Sequence, residues 1–219
     1  ELVVVAEVEE IAVKGKACLI LGLATEIREE WLAEIFPGRF IDHQETTFDP
    51  ESRSVVARRT RRFGKLVFDE QALGEPDPAK AAGLLAEEII VGRLKLKQWN
   101  AEVEHWIERV NFVASHCPEI EIATLDESGR KAICEQICLG FRSYRQIKNK
   151  EVFSFVKDWL SEEQIGAVEK LAPEEYRLPN RRKPTRIRYA SGEATIAAKI
   201  QELYDLKEAP VIASGRYVV

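Results

Sequence analysis

The stretch Gly74-Glu75-Pro76-Asp77-Pro78 divides the chain into two textures, and no regular element runs through it. Upstream, residues 2–8, 17–23, 40–48, 54–62 and 65–71 are β-branched, aromatic or alternating runs, the pattern of short strands. Lys14-Gly15-Lys16, a helical insert and Asp49-Pro50-Glu51-Ser52 separate them. The insert starts at Thr25 as N-cap, runs through Glu29, Trp31, Leu32, Ile35 and Phe36, and stops at Pro37-Gly38. Trp31 and Phe36 are expected in a core, as is Cys18 inside an apolar strand.

Downstream the period changes to helical. Asp77 followed by Pro78 combines a capping carboxylate with a prolyl first position. Ala81, Leu84, Leu85 and Ile89 form the stripe of that helix. A second helix near Asn100 carries Val103, Trp106, Ile107, Val110 and Val113, with Pro118 closing it. A third opens at Asp126-Glu127-Ser128. Ser143 to Gln146 and Ser161 to Gln164 have capping-box form, with Val152, Phe155, Val156 and Trp159 as an apolar face between them. After Pro173 the segments Tyr176-Arg177-Leu178-Pro179 and Ile187-Arg188-Tyr189 look extended. An amphipathic helix is expected from Glu193 through Ile196, Ile200 and Leu203 to Leu206.

These segments give an α+β class with three parts. A β-rich domain with one helical insert spans 1–75, a small antiparallel sheet or barrel with an OB-like form among the options. A helical domain spans 76–172, and a short mixed α/β segment spans 173–219. The chain is read as an excised piece, since it contains no methionine and starts with Glu1 in mid-strand texture. No apolar run approaches the roughly 20 residues of a membrane helix, and the N-terminus lacks the pattern of a signal peptide. With four cysteines in 219 residues, a reduced, cytoplasmic protein is expected.

The formal net charge is −5, which by itself repels a polyanion, but the cations are concentrated. Arg53 to Lys65 holds six basic residues and no acidic one, and Arg177 to Arg188 holds six more with none. A local patch binds phosphates even on an acidic chain, because screening over about 8–10 Å hides the remainder. The planar fork of arginine suits phosphate oxygens. In Val55 to Phe63 the alternation sends arginines to both faces, so this strand is expected to project from its sheet or lie at an edge. The bland reading of such runs is a solvated face kept soluble by charge.

Catalytic patterns are missing. There is no phosphate-cradling Gly-rich loop ending in Lys-Ser/Thr, no dinucleotide fingerprint, no His-Glu-x-x-His and no nucleophile elbow. Cys134 and Cys138, with His116 and Cys117, can be drawn as a zinc site. An i, i+4 pair among Ile133, Ile137 and Leu139 reads better as buried free thiols, so no metal site is assigned. His105, between Glu104 and Glu108, is expected to face solvent.

The order Leu171-Ala172-Pro173, Tyr176 to Arg182, Ile187-Arg188-Tyr189, Ala198 to Leu206, Ala209-Pro210-Val211-Ile212 and Gly215-Arg216 resembles the C-terminal region of bacterial HrpB-type ATP-dependent RNA helicases, relatives of the DEAH-box enzymes. Phe48-Asp49-Pro50 with Val55 to Leu66 resembles an arginine-rich hairpin of that family, and Leu139 to Tyr144 a part of its helical region. The resemblance implies that the ATP-binding domains lie upstream. This chain is then a non-catalytic accessory region with no cofactor of its own, ATP and magnesium belonging to the absent helicase core. It also implies that the last segment is truncated. The expected partners are that core and single-stranded RNA, held with low specificity by Arg58, Arg59, Arg61, Arg62, Arg181, Arg182, Lys183 and Arg186, with no membrane involved. The alternative is a scaffold that docks on the core or on another protein, its arginines paired with acidic groups. Few aromatics accompany the cations: Phe63, Tyr176 and Tyr189 are the candidates for stacking.

Overall fold

Residues 2–13 and 16–219 are described by the structure, a computed structural model. Contacts divide the chain into two compact units, one of residues 1–45 and 57–73, the other of residues 46–56 and 74–219. The class is mixed α/β with small antiparallel sheets.

In the first unit, strands β1 (Val3–Val13) and β2 (Lys16–Glu26) pair as a long antiparallel hairpin. Helix α1 (Glu29–Ile35) follows. Then β3 (Phe40–Asp49), β4 (Ser54–Phe63) and β5 (Leu66–Ala72) make a separate three-stranded sheet in that order, of which residues 46–49 and 54–56 count with the second unit. Among the described residues the two ladders do not join into a closed barrel. Thr25 does not cap α1. It pairs with Val4 in the hairpin, and the cap position falls to Arg28, which makes no side-chain cap bond. Of the insert's apolar residues only Leu32 is buried, while Trp31 and Phe36 are exposed, as is Cys18. A seven-residue helix buries too narrow a stripe to hold all three large side chains, and Cys18 lies in a ladder of two strands among the described residues.

The second unit is built around helices α2 (Pro78–Ile90), α3 (Ala101–His116), α4 (Glu127–Cys138), α5 (Tyr144–Ile147), α6 (Phe153–Lys157) and α7 (Glu162–Leu171). Local chemistry sets their starts. The Asp77 carboxylate accepts from Lys80 N–H at 2.8 Å with Pro78 in the first turn, and Asn100 accepts from Glu102 and Val103. Asp126 accepts from Gly129 at 2.9 Å, and Ser143 and Ser161 form capping boxes with Gln146 and Gln164. The whole expected stripe of α3 is buried, packed with Ile133, Ile137, Val152 and Val156.

The last segment belongs to the same unit. Strands β6 (Glu175–Tyr176), β7 (Thr185–Ala190) and β8 (Glu193–Ile196) form an antiparallel sheet, and β9 (Val211–Ile212) pairs with β10 (Tyr217–Val218). Ile187, Tyr189 and Ala194 enter the helical core. The expected helix over 193–206 is replaced by β8 and a 3-10 turn at Ile200–Leu203. Ser191 and Gly192 both take positive φ, 53° and 79°, and this two-residue turn folds Glu193 back opposite Ala190, so ladder pairing captures the segment. Among the described residues no helix is long and apolar enough to cross a membrane.

Candidate nucleic-acid interface

Strand β4 brings its four arginines into the centre of a sheet, not to an edge. That placement is tolerated because the flanking elements supply acids that the basic window itself lacks. Arg58 pairs with Glu70 of β5, Arg59 with Asp42 of β3 at 2.8 Å, and Arg62 with Glu45 of β3 at 3.2 Å. Arg61 pairs with Glu29 of α1 at 3.0 Å and lies 4.9 Å from the Phe40 ring centroid. Arg62 also keeps its Nε buried without a hydrogen-bond partner. These guanidinium groups are half-exposed, but each is paired with an acid, three of them across strands and Arg61 with the helix.

The second basic window is arranged differently. Strand β7 alternates strictly, with Thr185, Ile187 and Tyr189 inward and Arg186, Arg188 and Ala190 outward. Arg186 reaches Glu174 at 3.4 Å, and Arg181 reaches Glu202 at 3.5 Å. Arg182, Lys183 and Arg188 are exposed, and among the described residues none of their side chains has an acid, a hydrogen-bond partner or a ring. The loop that carries Arg182 and Lys183 is tied down beside them, since Asn180 Nδ2 donates to Asp205 at 2.8 Å. Arg188 joins this set although the sequence reading did not assign it; the signal was its i, i+2 spacing from Arg186 on a strand of alternating pattern.

The three aromatics expected near the cations are not available for stacking. Phe63 packs with Phe36, Phe40 and Phe68. Tyr176 packs against the core of its unit. Tyr189 is buried, and its hydroxyl donates to Pro173 O at 2.7 Å; burial pushes that hydroxyl's pKa well above the ordinary tyrosine value.

Titratable groups elsewhere have structural duties. The Arg130 guanidinium holds the Glu104 carboxyl below its usual range through two hydrogen bonds, at 2.8 and 2.7 Å, and Trp99 Nε1 donates to the same carboxylate. Beside them an apolar recess of about 430 Å³ is lined by Ile89, Leu94, Leu96, Trp99 and Cys134. Burial pushes the Cys134 and Cys138 thiols up to about 12, so both remain protonated and inert, and Cys117 is raised by the same cause. Among the described residues no group of three or more His, Cys, Asp or Glu side chains is placed to hold a metal. His105 does not face solvent. It is half-buried with Nε2 unpartnered, and burial first, then the charges of Arg186 and Arg109, lower its pKa.

Comparison with known proteins places this geometry in context. Residues 134–219 match the family model described as ATP-dependent helicase C-terminal. The chain is 22% identical over 207 residues to the ATP-dependent RNA helicase HrpB of Escherichia coli strain K12, covering 91% of this chain and 25% of that protein. It thus spans a quarter of the length of this relative. In fold it is similar to the crystal structure of the Escherichia coli DExH-box NTPase HrpB, with a TM-score of 0.60 and 20% identity over 99% of this chain and 27% of that one. A second crystal structure, of the Escherichia coli DEAH/RHA helicase HrpB, gives a TM-score of 0.59.

Proposed function

We infer that this chain is a C-terminal region of an HrpB-type ATP-dependent helicase, and that it adds a low-specificity contact to the phosphate backbone of single-stranded RNA. The observation that carries the reading is the contrast between the two basic windows: the β4 arginines are paired with acids of β3, β5 and α1, whereas Arg182, Lys183 and Arg188 stand exposed with no acid partner among the described residues. Cations in that state release counterions when they meet phosphates and give up no protein ion pair to do so. Arg181 and Arg186 border the set, and their long, solvent-facing pairs with Glu202 and Glu174 exchange for phosphate at small cost. Arg58, Arg59, Arg61 and Arg62 serve first as the framework of their sheet. ATP and magnesium chemistry belongs, in this reading, to helicase domains outside the chain, and the protein works in the cytoplasm.

Fluorescence anisotropy of the chain with a short unstructured RNA over a salt series tests the assignment. Neutralising about five phosphates of a single strand gives a slope of log affinity against log salt near −3.5. Binding of that kind supports the reading, and a folded chain that binds no RNA at low salt overturns it.

One feature favours a second role alongside the first. The β1–β2 hairpin exposes Val4, Val8, Leu19, Leu21 and Leu23, more apolar surface than a two-stranded ribbon ordinarily leaves to water. Docking of this hairpin on the upstream helicase domains accounts for that surface. In the full-length protein, Leu19→Lys with Leu21→Lys then raises protease sensitivity between these parts, and an unchanged digestion pattern excludes the docking.

A further inference from the structure

The segment after β8 carries Ile200, Leu203 and Tyr204 as exposed side chains, Tyr204 at 73% of its full accessibility. Among the described residues the Tyr204 ring has no aromatic neighbour, no cation over its face and no hydrogen bond from its hydroxyl. Two links from its immediate neighbours clip this turn to the basic loop. Glu202 pairs with Arg181 at 3.5 Å, and Asp205 accepts from Asn180 at 2.8 Å. The turn has its own lock as well, since the Lys199 N–H donates to the Glu202 carboxylate at 3.0 Å. The turn that carries Tyr204 is therefore tied to the loop that carries Arg182 and Lys183, whose side chains have no partner among the described residues.

Resting on the RNA-backbone reading above, we propose that Tyr204 is the base-stacking platform of that site, taking an unstacked nucleobase on its face while Arg182 and Lys183 hold the adjoining phosphates. A bare ring on a turn tied to a cation-bearing loop matches a nucleotide at both of its recognition surfaces, the π-face of the base and the charge of the phosphate. A protein partner for the same apolar patch requires acids opposite Arg182 and Lys183. A nucleic acid supplies that charge with every residue of its backbone. Stacking is indifferent to base identity, so the site binds single strands without reading sequence. A duplex keeps its bases stacked on one another and offers the ring nothing.

The test is anisotropy of the chain with a short oligouridylate and with a base-free oligonucleotide backbone of equal charge, for wild type, Tyr204→Ala, Tyr204→Phe and the pair Arg182→Glu/Lys183→Glu. The expected result is a roughly 5- to 100-fold loss of oligouridylate affinity in Tyr204→Ala. Its salt slope should stay unchanged, Tyr204→Phe should stay near wild type, and all three Tyr204 proteins should bind the base-free backbone equally. Oligouridylate binding by Tyr204→Ala at wild-type strength, with the charge reversal losing it, overturns the stacking role and leaves the backbone reading standing. A wild-type chain that binds neither probe at low salt overturns both. Sedimentation of the same proteins covers a second copy as occupant: self-association lost in Tyr204→Ala with RNA affinity intact assigns the patch to a chain–chain contact and overturns the proposal.

Discussion

Arg109 Nε donates a 2.7 Å hydrogen bond to the carbonyl oxygen of Ala172, joining the middle of α3 to the C-cap of α7 across 63 residues of sequence. The next carbonyl, Pro173, accepts from the Tyr189 hydroxyl at 2.7 Å. Two consecutive carbonyls at the exit of the helices are thus satisfied by buried side chains from α3 and β7, where the sequence texture suggests a break. Arg109 is only 7% exposed and lies 5.1 Å from the Trp106 ring centroid, so its desolvation is offset by the carbonyl and by the indole face.

Arg109→Ala is expected to lower stability by about 2–3 kcal/mol, since it leaves the Ala172 carbonyl buried without its donor and removes packing from Trp106. Tyr189→Phe removes one neutral bond and is expected to cost about 1 kcal/mol. Urea denaturation of the two variants checks both figures. Hydrogen exchange over 173–190 is expected to accelerate in Arg109→Ala before global unfolding.

Most helix starts were legible in the sequence because the signal is local: Asp77, Asn100, Asp126, Ser143 and Ser161 sit within three residues of the amides or side chains they bond. The partners of β4 were not legible, because Asp42 and Glu45 lie on β3 and Glu70 on β5, and a basic window read alone shows no neutralising strand. Tyr204 escaped for a related reason. Ile196, Ile200 and Leu203 fall at helical spacing, which puts Tyr204 on an ordinary helix, but the Ser191-Gly192 turn diverts Glu193–Ile196 into β8 and leaves the tyrosine on an exposed turn. Arg188 stood in the basic window, but its outward direction became clear only with the alternation of β7.

Reversal of the β4 arginines is expected to harm folding before binding. Single alanine substitutions at Arg59 or Arg61 should each cost up to about 1 kcal/mol, the usual ceiling for half-exposed pairs. Replacing Arg58, Arg59, Arg61 and Arg62 together by glutamate places like charges opposite Glu70, Asp42, Glu29 and Glu45 and should unfold the first unit. Circular dichroism melts of the single and quadruple variants measure this, and a quadruple variant that melts like wild type contradicts it.

His105 makes stability fall on acidification. Its folded pKa lies below the ordinary 6.5, so between the two values the unfolded chain binds the extra proton, and stability drops as pH falls below about 6.5. The facing charges are Arg186 and Arg109, which oppose protonation, and Glu174, which favours it more weakly. His105→Phe should flatten the pH dependence of the urea midpoint between pH 7 and 5. An unchanged slope would assign that dependence to carboxylates instead.

Thiol labelling should separate the cysteines by burial. Cys18 is exposed and is expected to react with an aromatic disulfide reagent in the native chain. Cys117, Cys134 and Cys138 are buried, with thiol pKa values raised, and should react only at the rate of unfolding. Arg109→Ala should speed their labelling by the factor by which it raises the unfolding rate, at most the factor of its loss of stability.

The direct test of the backbone-contact account is the salt dependence of single-stranded RNA affinity in Arg182→Glu/Lys183→Glu beside wild type. The account predicts weaker binding at every salt concentration and a slope less steep by about 1.4, the share of two single-strand phosphates. An unchanged slope and affinity in a variant that melts like wild type would contradict it, and would move the contact away from the Arg182–Lys183 loop.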